Sequence, residues 1–158
     1  MCMKAIPASS GTRYRALIQL LRTADSLWNS SRLFFSRWNL SPSQFNVLNL
    51  LSDQPQGVSQ IELSRQLIMH RSNVTGLVDR LEKRGWVRRQ DVQGDRRAYH
   101  VVLTPAGSEL IAHVLPEYYR LADRIWMDVP ADRARRLAAD LQRLANEAEK
   151  LFPEKGAS

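Results

Sequence analysis

The sequence contains one cysteine, Cys2, which excludes an internal disulfide framework and suits a reducing compartment such as the cytoplasm. No apolar run approaches the ~18 residues that a membrane span needs. The opening stretch, MCMKAIPASSGTRY, is not apolar over a signal-peptide length. Histidine is scarce: His70, His100 and His113 are scattered without metal-ligand spacing. There is no glycine-rich phosphate loop, and the cysteine has no base beside it. These gaps leave catalysis without a constellation to carry it, so the expectation is a protein that is not an enzyme and uses no cofactor and no metal. Internal repeats and low-complexity tracts are absent too, which removes solenoids and fibrous arrays.

Positive charge is what the sequence does have. The formal net charge is +7 over 158 residues, a balance that favours a polyanionic partner. Its distribution is uneven. Between Arg65 and Arg97 stand nine basic residues against four acids, so this fifth of the chain holds five of the seven net charges. A patch this local reads as an electrostatic footprint for phosphate.

Periodicity gives the frame. After a loose tail over residues 1–11, Leu17, Leu20, Leu21, Ala24, Leu27, Trp28, Ser31, Phe34, Phe35 and Trp38 recur at spacings of three and four from Thr12 onward, which predicts a long amphipathic helix. LSPSQFNVLNLLSD predicts a second helix, with Ser41 as N-cap, Pro42 in the first turn and Gln44 completing a capping box. QPQG breaks the chain, and Ser59 with Glu62 opens a short helix in which Ile61, Leu63 and Leu67 are expected to point inward. A basic helix comes next, with Val74, Leu77, Val78 and Leu81 as its stripe and Gly85 as its stop. Two helices three or four residues apart, the second of them basic, have helix-turn-helix spacing.

Trp86–Asp91 and Ala98–Leu103 read as strands, with VQGDRR as the tip of a hairpin. A hairpin directly after a helix-turn-helix is a wing. Thr104 and Pro105 then start another helix, whose internal Pro116 predicts a kink near His113. A last helix carries Ala134, Leu137, Ala138, Leu141, Leu144, Ala148 and Leu151. The stripes on the first helix and the last two have too few neighbours in one chain to cover them, and intertwining of two copies is the economical solution.

SNVTGLVDRLEKRGWVRRQDVQGDRRAYHVVLTPAG, residues 72–107, resembles the winged helix-turn-helix core of the MarR family of bacterial transcription regulators. The matching pieces, in order, are LVDRLEKRG, DRRA and LTPAG, and the helix order extends the resemblance over residues 12–152. It implies a mainly α fold with a small β-hairpin wing. In that fold a DNA-binding lobe, residues 40–103, is flanked by an N-terminal dimerisation helix, 12–39, and C-terminal dimerisation helices, 104–152, with a tail over 153–158. The implied partners are a second copy and double-stranded DNA with a palindromic operator. Many members of the family repress transcription and release DNA on binding a small aromatic acid or after cysteine oxidation. Cys2, in a loose tail, lacks the surroundings that lower a thiol pKa.

In a helix-turn-helix the N-terminal part of the second helix enters the major groove. Here that part holds His70, Arg71, Ser72, Asn73 and Thr75. Asn pairs with adenine, Arg with guanine, and the Thr methyl touches that of thymine. Ser72 is equally an N-cap. Gly76 either permits close backbone approach to DNA or is a tolerated solvent position. Asp79, repelled by phosphate, is expected to pair with an arginine, and Arg80 and Lys83 either contact the backbone or stay solvated. Arg88 and Arg89, at the wing base, read as phosphate contacts. Arg96 and Arg97 are adjacent on an extended strand and therefore point to opposite sides. The family pattern favours Arg97 in the minor groove, with Asp95 and Arg96 as its support. A ligand crevice in this family lies between lobe and dimerisation helices, where Trp28 and Phe45 are candidates, although plain core is the commoner role for such aromatics. The competing class is a ligand-blind architectural protein, which would share the basic patch and bind DNA without a palindrome.

Overall fold

The computed structural model describes residues 11–67, 71–92 and 95–151, without the side chains of residues 71, 72 and 95–98. The elements run α1 (Thr12–Ser36), α2 (Pro42–Ser52), β1 (Val58–Ser59), α3 (Gln60–Gln66), α4 (Arg71–Lys83), β2 (Val87–Val92), β3 (Asp95–Leu103), α5 (Pro105–Trp126) and α6 (Ala131–Leu151). The chain divides into two compact units, Met1–Ala112 and His113–Ser158, and α5 runs across the division.

Local chemistry sets the boundaries. Ser41 Oγ accepts from the Gln44 N–H at 3.2 Å and Gln44 Oε1 accepts from the Ser41 N–H at 2.9 Å, the reciprocal box the sequence predicts. At Ser59 half of the box forms. Its Oγ accepts from the Glu62 N–H at 3.2 Å, while the Glu62 carboxylate takes a bond from Gln66 Nε2 at 2.7 Å. The end of α4 is a Schellman turn: Trp86 N–H reaches the Leu81 carbonyl and Gly85 N–H that of Glu82, with Gly85 at φ +73°. Thr104 joins this turn to α5. Its hydroxyl donates to the Gly85 carbonyl at 2.6 Å and accepts from the Gly107 N–H at 3.0 Å. A side chain at Gly107 would place its Cβ 1.9 Å from the Trp86 carbonyl oxygen, so only glycine fits. This is the physical content of the LTPAG motif.

In the first unit the core gathers Phe35 from α1, Phe45, Val47, Leu48 and Leu51 from α2, Leu63 from α3, Val74, Leu77, Val78 and Leu81 from α4, Val87 and Val101 from the sheet, and Ile111 from α5, all buried. Phe35 and Phe45 stack with ring centroids 4.3 Å apart. The sheet is antiparallel in the order β1-β3-β2. In the second unit α5 continues helical through Pro116, and α6 has no buried residue.

Four features differ from the sequence-based expectations. The two-residue strand β1 has no periodic signal in the sequence; it pairs Val58 with Val101 and Ser59 with His100. Ile61 is 44% exposed rather than inward, because α3 buries the face of Gln60 and Leu63 and Ile61 lies off it. The six-residue tip VQGDRR is shorter, since β2 extends to Val92 and β3 begins at Asp95. Asp95, Arg96 and Arg97 therefore belong to a strand. The ladder also slips: Asp91 faces Tyr99 but Val92 faces Asp95, so one step on β2 is matched by four on β3.

Candidate nucleic-acid interface

The helix-turn-helix is α3 and α4. Burying Val74, Leu77, Val78 and Leu81 turns Asn73, Gly76, Arg80 and Lys83 to the other side of α4, at spacings of three and four. Asn73, Arg80 and Lys83 are exposed. Thr75 is half-buried and its Oγ1 donates to Gln60 Oε1 at 3.2 Å, joining the two helices. Gln60 is itself buried, and Thr75 is its polar tie to α4. His70 lies outside the described residues, and so do the side chains of Arg71, Ser72, Asp95, Arg96 and Arg97.

The wing base separates two arginines that the sequence treats alike. Arg88 is exposed, and no ion pair holds it among the described residues. Arg89 is committed. Its guanidinium bonds Glu82 through Nη1 and Asp79 through Nη2, and its backbone N–H donates to Glu82 Oε1 at 2.8 Å. The cation also lies 5.3 Å from the centre of the Tyr99 ring. Partial burial works to lower its pKa, but the hydrogen bonds to Asp79 and Tyr99 and the field and hydrogen bond of Glu82 outweigh it, so the pKa lies above the ordinary arginine value. The pairing expected for Asp79 is present. Arg89, expected as a phosphate contact, has a side chain only 25% exposed that already holds two carboxylates.

Arg84 is a further basic residue whose role the sequence did not disclose. Its Nη1 donates to the Asn39 carbonyl at 2.5 Å and its guanidinium lies 3.6 Å from the centre of the Trp86 ring. The end of α4 is thereby fastened to the corner between α1 and α2, where Asn39 takes φ +55°. Of the two candidate ligand residues, Phe45 is buried against Phe35 as core, and Trp28 is 46% exposed on α1. Among the described residues no group of three or more His, Cys, Asp or Glu is placed to hold a metal, and no helix is long and apolar enough to cross a membrane.

Comparison with known proteins places this geometry. The chain is 33% identical over 110 residues to the HTH-type transcriptional regulator PecS of Dickeya dadantii (strain 3937), an alignment covering 68% of this chain and 62% of PecS. The chain thus spans less than two thirds of that relative. It is 31% identical over 122 residues to the HTH-type transcriptional regulator PapX of Escherichia coli, covering 76% of this chain and 74% of PapX. In fold it matches a chain of the S. aureus MepR–DNA complex with a TM-score of 0.75 at 16% identity, over 85% of this chain and 97% of that one. The sequence model of the MarR family matches residues 38–98, the span from the α1–α2 corner to the wing. With the PapX likeness extending over three quarters of both proteins, the chain belongs to the MarR family.

Proposed function

We propose that this chain is a homodimeric, sequence-specific DNA-binding regulator of transcription, a repressor that leaves a palindromic operator when a small effector of the aromatic-acid class binds. The observation that carries this reading is the outer face of α4. Asn73, Arg80 and Lys83 stand exposed on it, while its acid, Asp79, is neutralised by Arg89. That leaves a polar, net positive ridge of major-groove dimensions, with amide and guanidinium groups suited to base edges. In this reading Arg71, Ser72 and Thr75 serve base contact, Arg88 and Arg97 serve phosphate and minor-groove contacts from the wing, and Asp95 and Arg96 support the tip. MepR, of like fold, is found in a complex with DNA.

The dimer reading rests on uncovered apolar surface. On α6, residues Ala134, Leu137, Leu141, Leu144, Ala148 and Leu151 alternate spacings of three and four, the seam of a coiled coil. On α1, Leu17, Leu21, Leu27 and Leu33 are more than two-fifths exposed. A second copy covers both, and a two-fold protein matches a palindrome. Such a regulator works in the cytoplasm, where its DNA lies.

Footprinting over random genomic fragments tests this. One or a few symmetric protected sites are expected, with affinity falling steeply as salt rises. Uniform protection would favour the architectural alternative, and a flat log–log dependence on salt would contradict electrostatic binding. At a protected site, Arg97→Ala is expected to cost about 1–3 kcal/mol of binding.

A further inference from the structure

Among the described residues, no third strand accompanies the wing beyond Ser59–His100. β1 pairs with His100 and Val101, so the outer hairpin, Asp91 and Val92 against Asp95–Tyr99, is a two-stranded ribbon. A two-stranded ribbon is marginally stable on its own and depends on what it packs against. Arg89 stands opposite Val101, at the level of Val58 and one residue before the last three-stranded step. Asp79 and Glu82 are three residues apart on α4 and so share a face. One guanidinium fills the jaw they make, and Tyr99 of β3 lies beside it.

We propose that Arg89 is the positioning residue of the interface, holding the wing in a set direction against the recognition helix without touching DNA itself. This inference rests on reading the lobe as DNA-binding. The planar fork is essential to the role. Arginine reaches two carboxylates at once with fixed geometry, whereas lysine offers one charge on a flexible stem. Arg88, the preceding residue, points to the opposite side of the strand and takes the complementary part, a solvent-facing cation available to phosphate.

Electrostatics and positioning predict opposite signs, which makes the clamp testable. Asp79 and Glu82 are anions beside a site for a polyanion. If charge alone mattered, neutralising them would strengthen binding. If the clamp orients the wing, neutralising them weakens it.

The full-length protein is used to enrich duplexes from a randomised DNA library, and the best enriched duplex is the probe. Arg89→Lys is expected to weaken binding to it about tenfold or more. The slope of log affinity against log salt stays that of the unmodified protein, because no phosphate contact is lost. Arg88→Gln is expected to reduce that slope by about 0.9 for each phosphate contact removed. The isosteric pair Asp79→Asn with Glu82→Gln breaks the same clamp from the other side and is expected to weaken binding too. Full-strength binding by Arg89→Lys overturns the proposal, as does a slope falling with Arg89→Lys as it does with Arg88→Gln, or tighter binding by the amide pair. Failure of the unmodified protein to enrich any sequence overturns the DNA-binding reading itself, and the clamp with it.

Discussion

On α4 the apolar stripe of Val74, Leu77, Val78 and Leu81 is buried to 4% exposure or less, whereas on α6 the stripe of Leu137, Leu144 and Leu151 is 45%, 59% and 71% exposed. Both helices are amphipathic, and both carry their charges on the opposite side. The difference lies in what the same chain packs against each helix. A Schellman turn and a short connector fold β2 back onto α4 at once, and α2, α3 and the sheet complete its cover. Among the described residues α6 has no buried side chain, and its stripe is left open. Periodicity says which face of a helix seeks cover. It does not say whether the cover comes from the same chain or from another.

Breaking the two stripes separately tests that distinction. The largest effect is expected at Leu81→Ala. Leu81 is fully buried, and its truncation costs about 2–5 kcal/mol. Because the cover is intramolecular, thermal melting should show this loss at every protein concentration. Leu144→Asp is expected to cost about 2 kcal/mol of association per copy, with little loss within the isolated chain, since Leu144 is already 59% exposed there. Sedimentation should show a shift toward monomer at low concentration, and the melting temperature should become more dependent on concentration. A Leu144→Asp protein that sediments as the unmodified one does would remove α6 from the dimer seam and move the burden to α1.

Much of this division is legible in the residues. The capping box at Ser41, the stop at Gly85 and the N-cap at Thr104 are chemical signals confined to a few neighbouring positions, and each stands where the sequence puts it. The α4 stripe is legible for the same reason, over a longer span. What escapes is whatever a distant element decides. Two residues, Val58 and Ser59, carry no measurable period, and they are a strand only because Val101 and His100 lie beside them. On α3 the apolar Ile61 is outside and the polar Gln60 inside, where Thr75 of α4 donates a hydrogen bond to it. Arg88 and Arg89 are identical letters side by side. Their separation into exposed cation and clamped cation depends on Asp79 and Glu82, ten and seven residues before Arg89 on another element. Two acids spaced by three within an otherwise basic helix were the one signal pointing to it.

The smallest effect sharpens the comparison most, because it concerns the other exposed face. α6 leaves apolar side chains open, which suits a protein partner; α4 leaves open polar and basic groups around a glycine, which suits DNA. At Gly76 an added Cβ would meet only Arg80 Nη1, at 3.4 Å, an ordinary contact with the end of a flexible side chain. Nothing in the described fold therefore requires glycine there, and glycine costs the helix about 1 kcal/mol relative to alanine. Gly76→Ala is expected to raise the melting temperature by about 3 °C. Binding to the enriched duplex is expected to weaken at the same time, because the added methyl group stands where the α4 backbone approaches the groove. Opposite signs for stability and affinity would assign the glycine to DNA and not to folding. Raised stability with unchanged affinity would confine the groove contact to the Asn73 end of α4, leaving Arg80 and Lys83 as a solvated face.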